Sequence, residues 1–277
     1  MRSIILFIIL GSFCLSINAQ SRLNGKVVNE AGEPIPFVAI GIIGTQVMAS
    51  TDDKGSFELK YPTSYSEKEL TFQVPGYHTK AIVIADLLKS ENPVITLEEN
   101  VRQLKTVEVR SNQKRVTKVK GNKGLVFGAV TESRGNYSIF GVHVKPPNDE
   151  ALLESISFHV QNDSSINFTV RPIVYAVVND TVDFSQNLLP RDTTFSFTAK
   201  SGWMKMDLSE LQIEPEEKMA VGVHWLDINN QKYGTKTSMS LISFGSSPSI
   251  QANGFKSFVR YRGIGAYAIK AAFSFYK

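Results

Sequence analysis

Cysteine is almost missing from this chain. The single one, Cys14, lies near the start of 277 residues. No intrachain disulfide can staple the fold, so stability must come from apolar packing, even in an oxidising compartment. Thiol nucleophiles are excluded once the first residues are removed. Histidine is scarce as well. His78, His143, His159 and His224 all lack a glutamate three residues on, so the His-x-x-Glu pair of a zinc hydrolase is missing. There is no Gly-x-Ser-x-Gly elbow, no Gly-x-x-x-x-Gly-Lys phosphate loop and no EF-hand spacing. No apolar run reaches the ~20 residues that a membrane-spanning helix needs.

What the chain does carry at its start is Arg2, an apolar run over residues 4–15, and small or polar residues up to Ala19-Gln20. That is the layout of a secretory signal peptide, cut after Ala19. Residues 1–19 are read as the signal. The remainder is expected to be exported, to the periplasm, the outer membrane or the cell surface. Lipid attachment at Cys14 calls for a small preceding residue, and Phe13 stands there. An apolar content of 42 % supports real cores. The length left after cleavage suits two domains of roughly 100–200 residues each.

Residues 20–98 read as short strands between turns. Phe57 and Leu59 fall on one face of a strand, and proline or glycine closes several others, as at Glu33-Pro34 and Pro75-Gly76. Val27, Val38, Ile40, Phe57, Leu59, Leu70, Phe72 and Val83 are the expected core. Asp52-Asp53-Lys54-Gly55 reads as a hairpin turn, and Gly55 and Gly76 are expected at positive φ. Five signals occur in order: Gly25-Lys26-Val27-Val28, Gly32-Glu33-Pro34-Ile35-Pro36-Phe37-Val38, Gly44-Thr45, Thr51-Asp52-Asp53-Lys54-Gly55-Ser56-Phe57 and Gly76-Tyr77. This order is similar to the carboxypeptidase regulatory-like domain. The resemblance implies a seven-stranded transthyretin-like sandwich, common in exported proteins of Bacteroidetes-type bacteria. It implies no activity of its own.

The net charge of +4 is concentrated. Between Arg102 and Lys123, eight basic residues stand against one acid, Glu108. The rest of the chain is net negative, which argues against a nucleic-acid-binding surface spread over the fold. Residues 99–123 are read as a basic linker with one short strand at 106–109. Lys114, Arg115, Lys118 and Lys120 are its candidates for contact with anionic polymers or lipid headgroups, a peripheral membrane contact. The plainer reading is a solvated connector.

Residues 124–277 are β-rich, with about ten candidate strands, as suits a jelly-roll-like double sheet. Separate strands are expected at 152–160 and 167–178, and again at 193–197 and 203–208. The order Phe168-Thr169-Val170-Arg171-Pro172-Ile173-Val174-Tyr175, Leu188-Leu189-Pro190 and Gly202-Trp203-Met204-Lys205-Met206-Asp207-Leu208 resembles accessory sandwiches of Bacteroidetes surface proteins. The expected fold is all-β: a seven-stranded transthyretin-like sandwich, then a larger jelly-roll-like β-sandwich. The aromatic, alternating segment 267–275 leaves a small outer-membrane barrel with a periplasmic regulatory-like domain as an alternative.

Among aromatics able to stack on sugars, Trp203, Trp225, Tyr261 and Tyr267 are expected in the core. Tyr233, in the loop 229–237, is the candidate ligand contact. Glu214, Glu216 and Glu217 cluster beside Pro215, but adjacent acids suit an exposed loop better than a glycosidase cleft. No catalytic residue, metal site or cofactor is assigned. The expected function is a non-enzymatic cell-envelope binding or scaffold module. Its expected partner is an envelope protein or a surface glycan, with no nucleic acid. A glycan-binding or glycan-degrading protein using the second sandwich is the alternative.

Overall fold

A computed structural model describes residues 20–100, 114–131, 138–226, 238–242, 245–253, 259–263 and 265–277. Seven strands build domain one: β1 (Gln20–Val28), β2 (Ala39–Gly41), β3 (Met48–Ser50), β4 (Ser56–Pro62), β5 (Glu69–Gln73), β6 (Lys80–Val83) and β7 (Val94–Thr96). They form two sheets, β4-β1-β7 and β3-β2-β5-β6, with β1 and β7 parallel and the other pairs antiparallel. In β4 the alternation is strict: Phe57, Leu59 and Tyr61 are buried between exposed neighbours, as a half-buried strand requires. They meet Ile40, Leu70 and Phe72 from the facing sheet in one core. Phe57 and Phe72 pack edge to face at 5.9 Å.

This is the seven-stranded sandwich expected from the sequence, with two local corrections. Val83 is only half-buried, because β6 ends there and a one-turn helix, α1 (Ile84–Leu87), turns Ile84 into the core instead. The turn at Asp52-Asp53-Lys54-Gly55 is not a hairpin within one sheet. It carries the chain from β3 in one sheet to β4 in the other. Asp52 Oδ1 accepts from the N–H groups of Lys54 and Ser56, which fixes the turn.

Domain two contains β8 (Arg115–Gly121), β9 (Val126–Thr131), β10 (Ser138–Val144), β11 (Leu152–Val178), β12 (Thr181–Asn187), β13 (Phe195–Asp207), β14 (Met219–Trp225), β15 (Ser238–Ile242), β16 (Gly245–Asn253), β17 (Val259–Gly263), β18 (Ala266–Tyr267) and β19 (Ile269–Tyr276). The expected break between 160 and 167 does not occur. β11 runs 27 residues, with a register shift between Gln161 and Ile166. Its first part lies between β19 and β13, and its second part joins β14. β13 follows it on the same edge throughout. The antiparallel β11–β13 pair therefore passes from one layer into the other, and the irregularity is the corner.

One layer holds β8, β19, β11 and β13; the other holds β17, β16, β10, β14, β11 and β13. Between them lie Phe140, Phe158, Phe168, Trp225 and Tyr267, packed edge to face at 5.0–6.5 Å. This apolar interior, with Lys205, Asp207 and Lys270 facing outward, is the reverse of a membrane barrel, whose apolar band faces lipid. The barrel alternative is therefore set aside. The stretch read as the end of a basic linker is also corrected: Arg115–Gly121 is a strand hydrogen-bonded to β19.

Candidate functional site

Two features stand out, the joint between the domains and one outer strand face of domain two. The joint starts from a side-chain alternation. Along β11, Val170 and Val174 point into the core, so Arg171, Ile173 and Tyr175 take the other face. Arg171 is only 3 % exposed. A guanidinium buried to that degree needs partners for its donors. Its Nε and Nη2 donate to the two carboxylate oxygens of Asp192 at 2.6 and 2.8 Å. Its Nη1 donates to the carbonyl of Phe37, in domain one, at 2.9 Å. Phe37 holds a left-handed φ of 55°, an uncommon state for a bulky residue. Its own N–H donates to the Thr51 carbonyl. Strain of this kind persists where surrounding bonds fix it, and here the bond to Arg171 is one of them.

Gly76 completes the joint. Its φ of +84° is the turn conformation expected from the sequence, and a Cβ there would stand 3.1 Å from Arg191 Cα of domain two. That spacing is tight for a Cβ, and together with the positive φ it favours glycine. Beside it is a cleft of about 540 Å³, lined by Tyr77, Glu99 and Asn100 from domain one and by Arg191, Asp192 and Glu210 from domain two. Burial pushes the Tyr77 phenol above its ordinary range, and the carboxylates of Glu99, Glu33 and Asp192 push it further. Burial likewise drives the Tyr175 phenol up to about 12, partly offset by the Arg171 charge. Sequence reading did not single out Arg171. The available signal was one charged residue inside the apolar run Val170 to Val174.

The second feature is the outer face of the β8-β19-β11-β13 layer. Trp203 stands opposite His159. Lys205 stands opposite Ser157, which faces Lys270 on its other side. Trp203 is 37 % exposed, whereas Trp225 is 2 % exposed in the core. Trp225 and Tyr267 thus follow the core expectation, and Trp203 departs from it. The His159 ring meets Trp203 edge to face at 5.5 Å, and Lys270 Nζ lies 4.0 Å from the Trp203 ring centroid. His159 Nδ1 shares a hydrogen bond with Ser240 Oγ at 2.8 Å. Burial lowers the His159 pKa and so favours the neutral ring, partly opposed by a hydrogen bond with the Val160 backbone.

The other sequence candidates fall apart from these features. Tyr233 lies outside the described residues. The four basic candidates do not share one face. Lys118 and Lys120 fall on the side of Val116, and Arg115 takes the opposite side of β8. Arg115 donates to Glu154 at 2.6 Å, Lys118 Nζ lies 5.5 Å from the Phe275 centroid, and the Lys114 main chain pairs with Lys277. Among the described residues β8 pairs with β19 alone, and lysines along a strand edge oppose pairing with another sheet. Glu214, Glu216 and Glu217 are exposed on one loop. His143 and His224 share a strand face but are offset four residues in register, about 13 Å along the strands. That is beyond a shared metal.

Residues 23–109 match the family model described as the CarboxypepD_reg-like domain. No curated protein matches the chain. Among solved structures, the chain is similar to the cysteine protease and lectin-like domains of Cwp84, a surface layer associated protein of Clostridium difficile. That similarity has 12 % identity and a TM-score of 0.39, over 82 % of this chain and 45 % of that one. The chain thus spans less than half of the Cwp84 structure. It is also similar to a variant of BcpA, the major pilin subunit of Bacillus cereus, at 11 % identity and a TM-score of 0.19. There the coverage is 90 % of this chain and 69 % of that one.

Proposed function

We propose that this chain is an exported, non-enzymatic cell-envelope protein that acts as a binding or scaffold module. In this reading domain one is a docked spacer and domain two carries the recognition surface. The observation that carries the reading is the Arg171 joint. A buried guanidinium joins Asp192 of domain two to the Phe37 carbonyl of domain one. Such a bond presents the second sandwich in a fixed orientation. The regulatory-like match over residues 23–109 adds support, since that domain is non-catalytic.

The test is retention of the purified protein on envelope fractions. The reading predicts saturable retention that is lost when residues on the outer face of domain two are changed. It also predicts that neutralising Lys114, Arg115, Lys118 and Lys120 together leaves retention unchanged. Loss of retention with that last variant alone would replace the recognition face with an electrostatic anchor. A second reading, glycan binding by domain two, is favoured by the exposure of Trp203 beside His159.

A further inference from the structure

We infer that the outer strand face around Trp203 binds a carboxylate-bearing saccharide, such as a uronic-acid polymer. This rests on the binding-module reading and names its site and ligand chemistry. The first observation is the exposed indole. A large aromatic on a strand face normally turns toward a core, and Trp203 keeps more than a third of its surface in solvent. An indole offers an apolar face of the size of a pyranose ring, together with a polar edge.

The second observation is the row of charge beside it. Lys205 and Lys270 flank Ser157 from its two neighbouring strands. With strands about 4.8 Å apart, the two lysine backbones are about 10 Å apart, a span that a sugar ring with its carboxylate can fill. Lys205 lies 3.5 Å from Asp207. Lys270 has no carboxylate partner among the described residues, and its ammonium rests on the Trp203 ring. An ammonium held at a stacking face is placed to meet an anion carried by the stacked ring.

The third observation is the rigidity of the surround. His159 is tied through Nδ1 to the fully buried Ser240, and its ring braces the indole. The four side chains come from β11, β13, β15 and β19, so the arrangement is built on strands and not on a loop. As a sugar stacks on the indole, the Lys270 ammonium that rests on that ring moves off it to meet the carboxylate, and the sugar's hydroxyls would meet the second nitrogen of His159. A phosphate or an acidic peptide could use the lysines but would leave the indole idle.

The test is titration of the whole protein with a short oligogalacturonate, followed by calorimetry and by tryptophan emission. Trp203 is exposed and Trp225 is buried, so a shift in the solvent-exposed emission reports on this site. Saturable binding is expected, weakened at least ~10-fold by Lys270→Gln and abolished by Trp203→Ala. Trp203→Phe should retain part of it, with unchanged thermal melts as the folding control. The methyl-esterified oligosaccharide should bind at least ~10-fold more weakly. Equal binding of the ester would overturn the carboxylate specificity while leaving a glycan site in place. Equal binding of polyglutamate, or binding indifferent to Trp203→Ala, would overturn the site. No saturable binding at millimolar oligosaccharide would overturn the proposal and leave the binding-module reading to its own test.

Discussion

Arg171 grips Asp192 through two parallel hydrogen bonds, and the two partners are unequally buried: the Arg171 side chain is 4 % exposed and Asp192 26 %. That inequality sets the direction of a mutational test. Removing Asp192 leaves a guanidinium stranded in the interior. Removing Arg171 leaves a carboxylate that water can still reach. Asp192→Ala is expected to cost about 3–5 kcal/mol, the usual penalty for breaking a buried pair, and Arg171→Met less. Urea denaturation of both variants checks the order. The reverse order would mean that the Arg171 contact to Phe37, and not its charge pairing, dominates the joint.

Domain one should stand without its neighbour. Its core is continuous from Leu23 to Leu97, and Phe57 packs against Phe72 at its centre. Phe57→Ala is expected to cost about 3–5 kcal/mol. A fragment of residues 20–100 should unfold in one cooperative step. A fragment with no cooperative transition would show that the core depends on domain two.

Most of domain one was legible because its turns carry their chemistry in sequence. Gly55 and Gly76 adopt φ of +73° and +84° as expected, since only glycine enters that region without strain. The core positions followed from alternation, except where β6 gave way to α1 at Ile84. Domain two was harder for a physical reason. The polar stretch Asn162-Asp163-Ser164-Ser165 looks like a loop, yet it is a bend within β11, and the antiparallel partner β13 turns the same corner. Local composition cannot tell a bend from an end. Trp203 was misplaced because alternation with Met204 and Met206 fixes a period but not which face is inside. The joint was invisible, since Phe37 and Arg171 are 134 residues apart.

The raised phenol of Tyr175 makes a prediction at high pH. In the unfolded chain it ionises near its ordinary value of about 10, and in the folded chain only near about 12. Between those values the folded state holds the extra proton. The stabilisation is therefore complete below pH 10 and is lost as pH rises through 12. Stability measured by denaturant across this window should fall more steeply for the native protein than for Tyr175→Phe. Equal slopes would place the Tyr175 hydroxyl in contact with solvent.

The central claim, a fixed two-domain module that binds without chemistry, is tested most directly by recovering what it binds. The purified protein is incubated with envelope polysaccharide and reisolated, and the bound material is eluted and weighed by mass spectrometry. The account predicts saturable binding that requires the outer face of domain two, with eluted material of the same mass as the input. Shortened or modified products, lost when a single carboxylate is replaced, would contradict it and identify an enzyme.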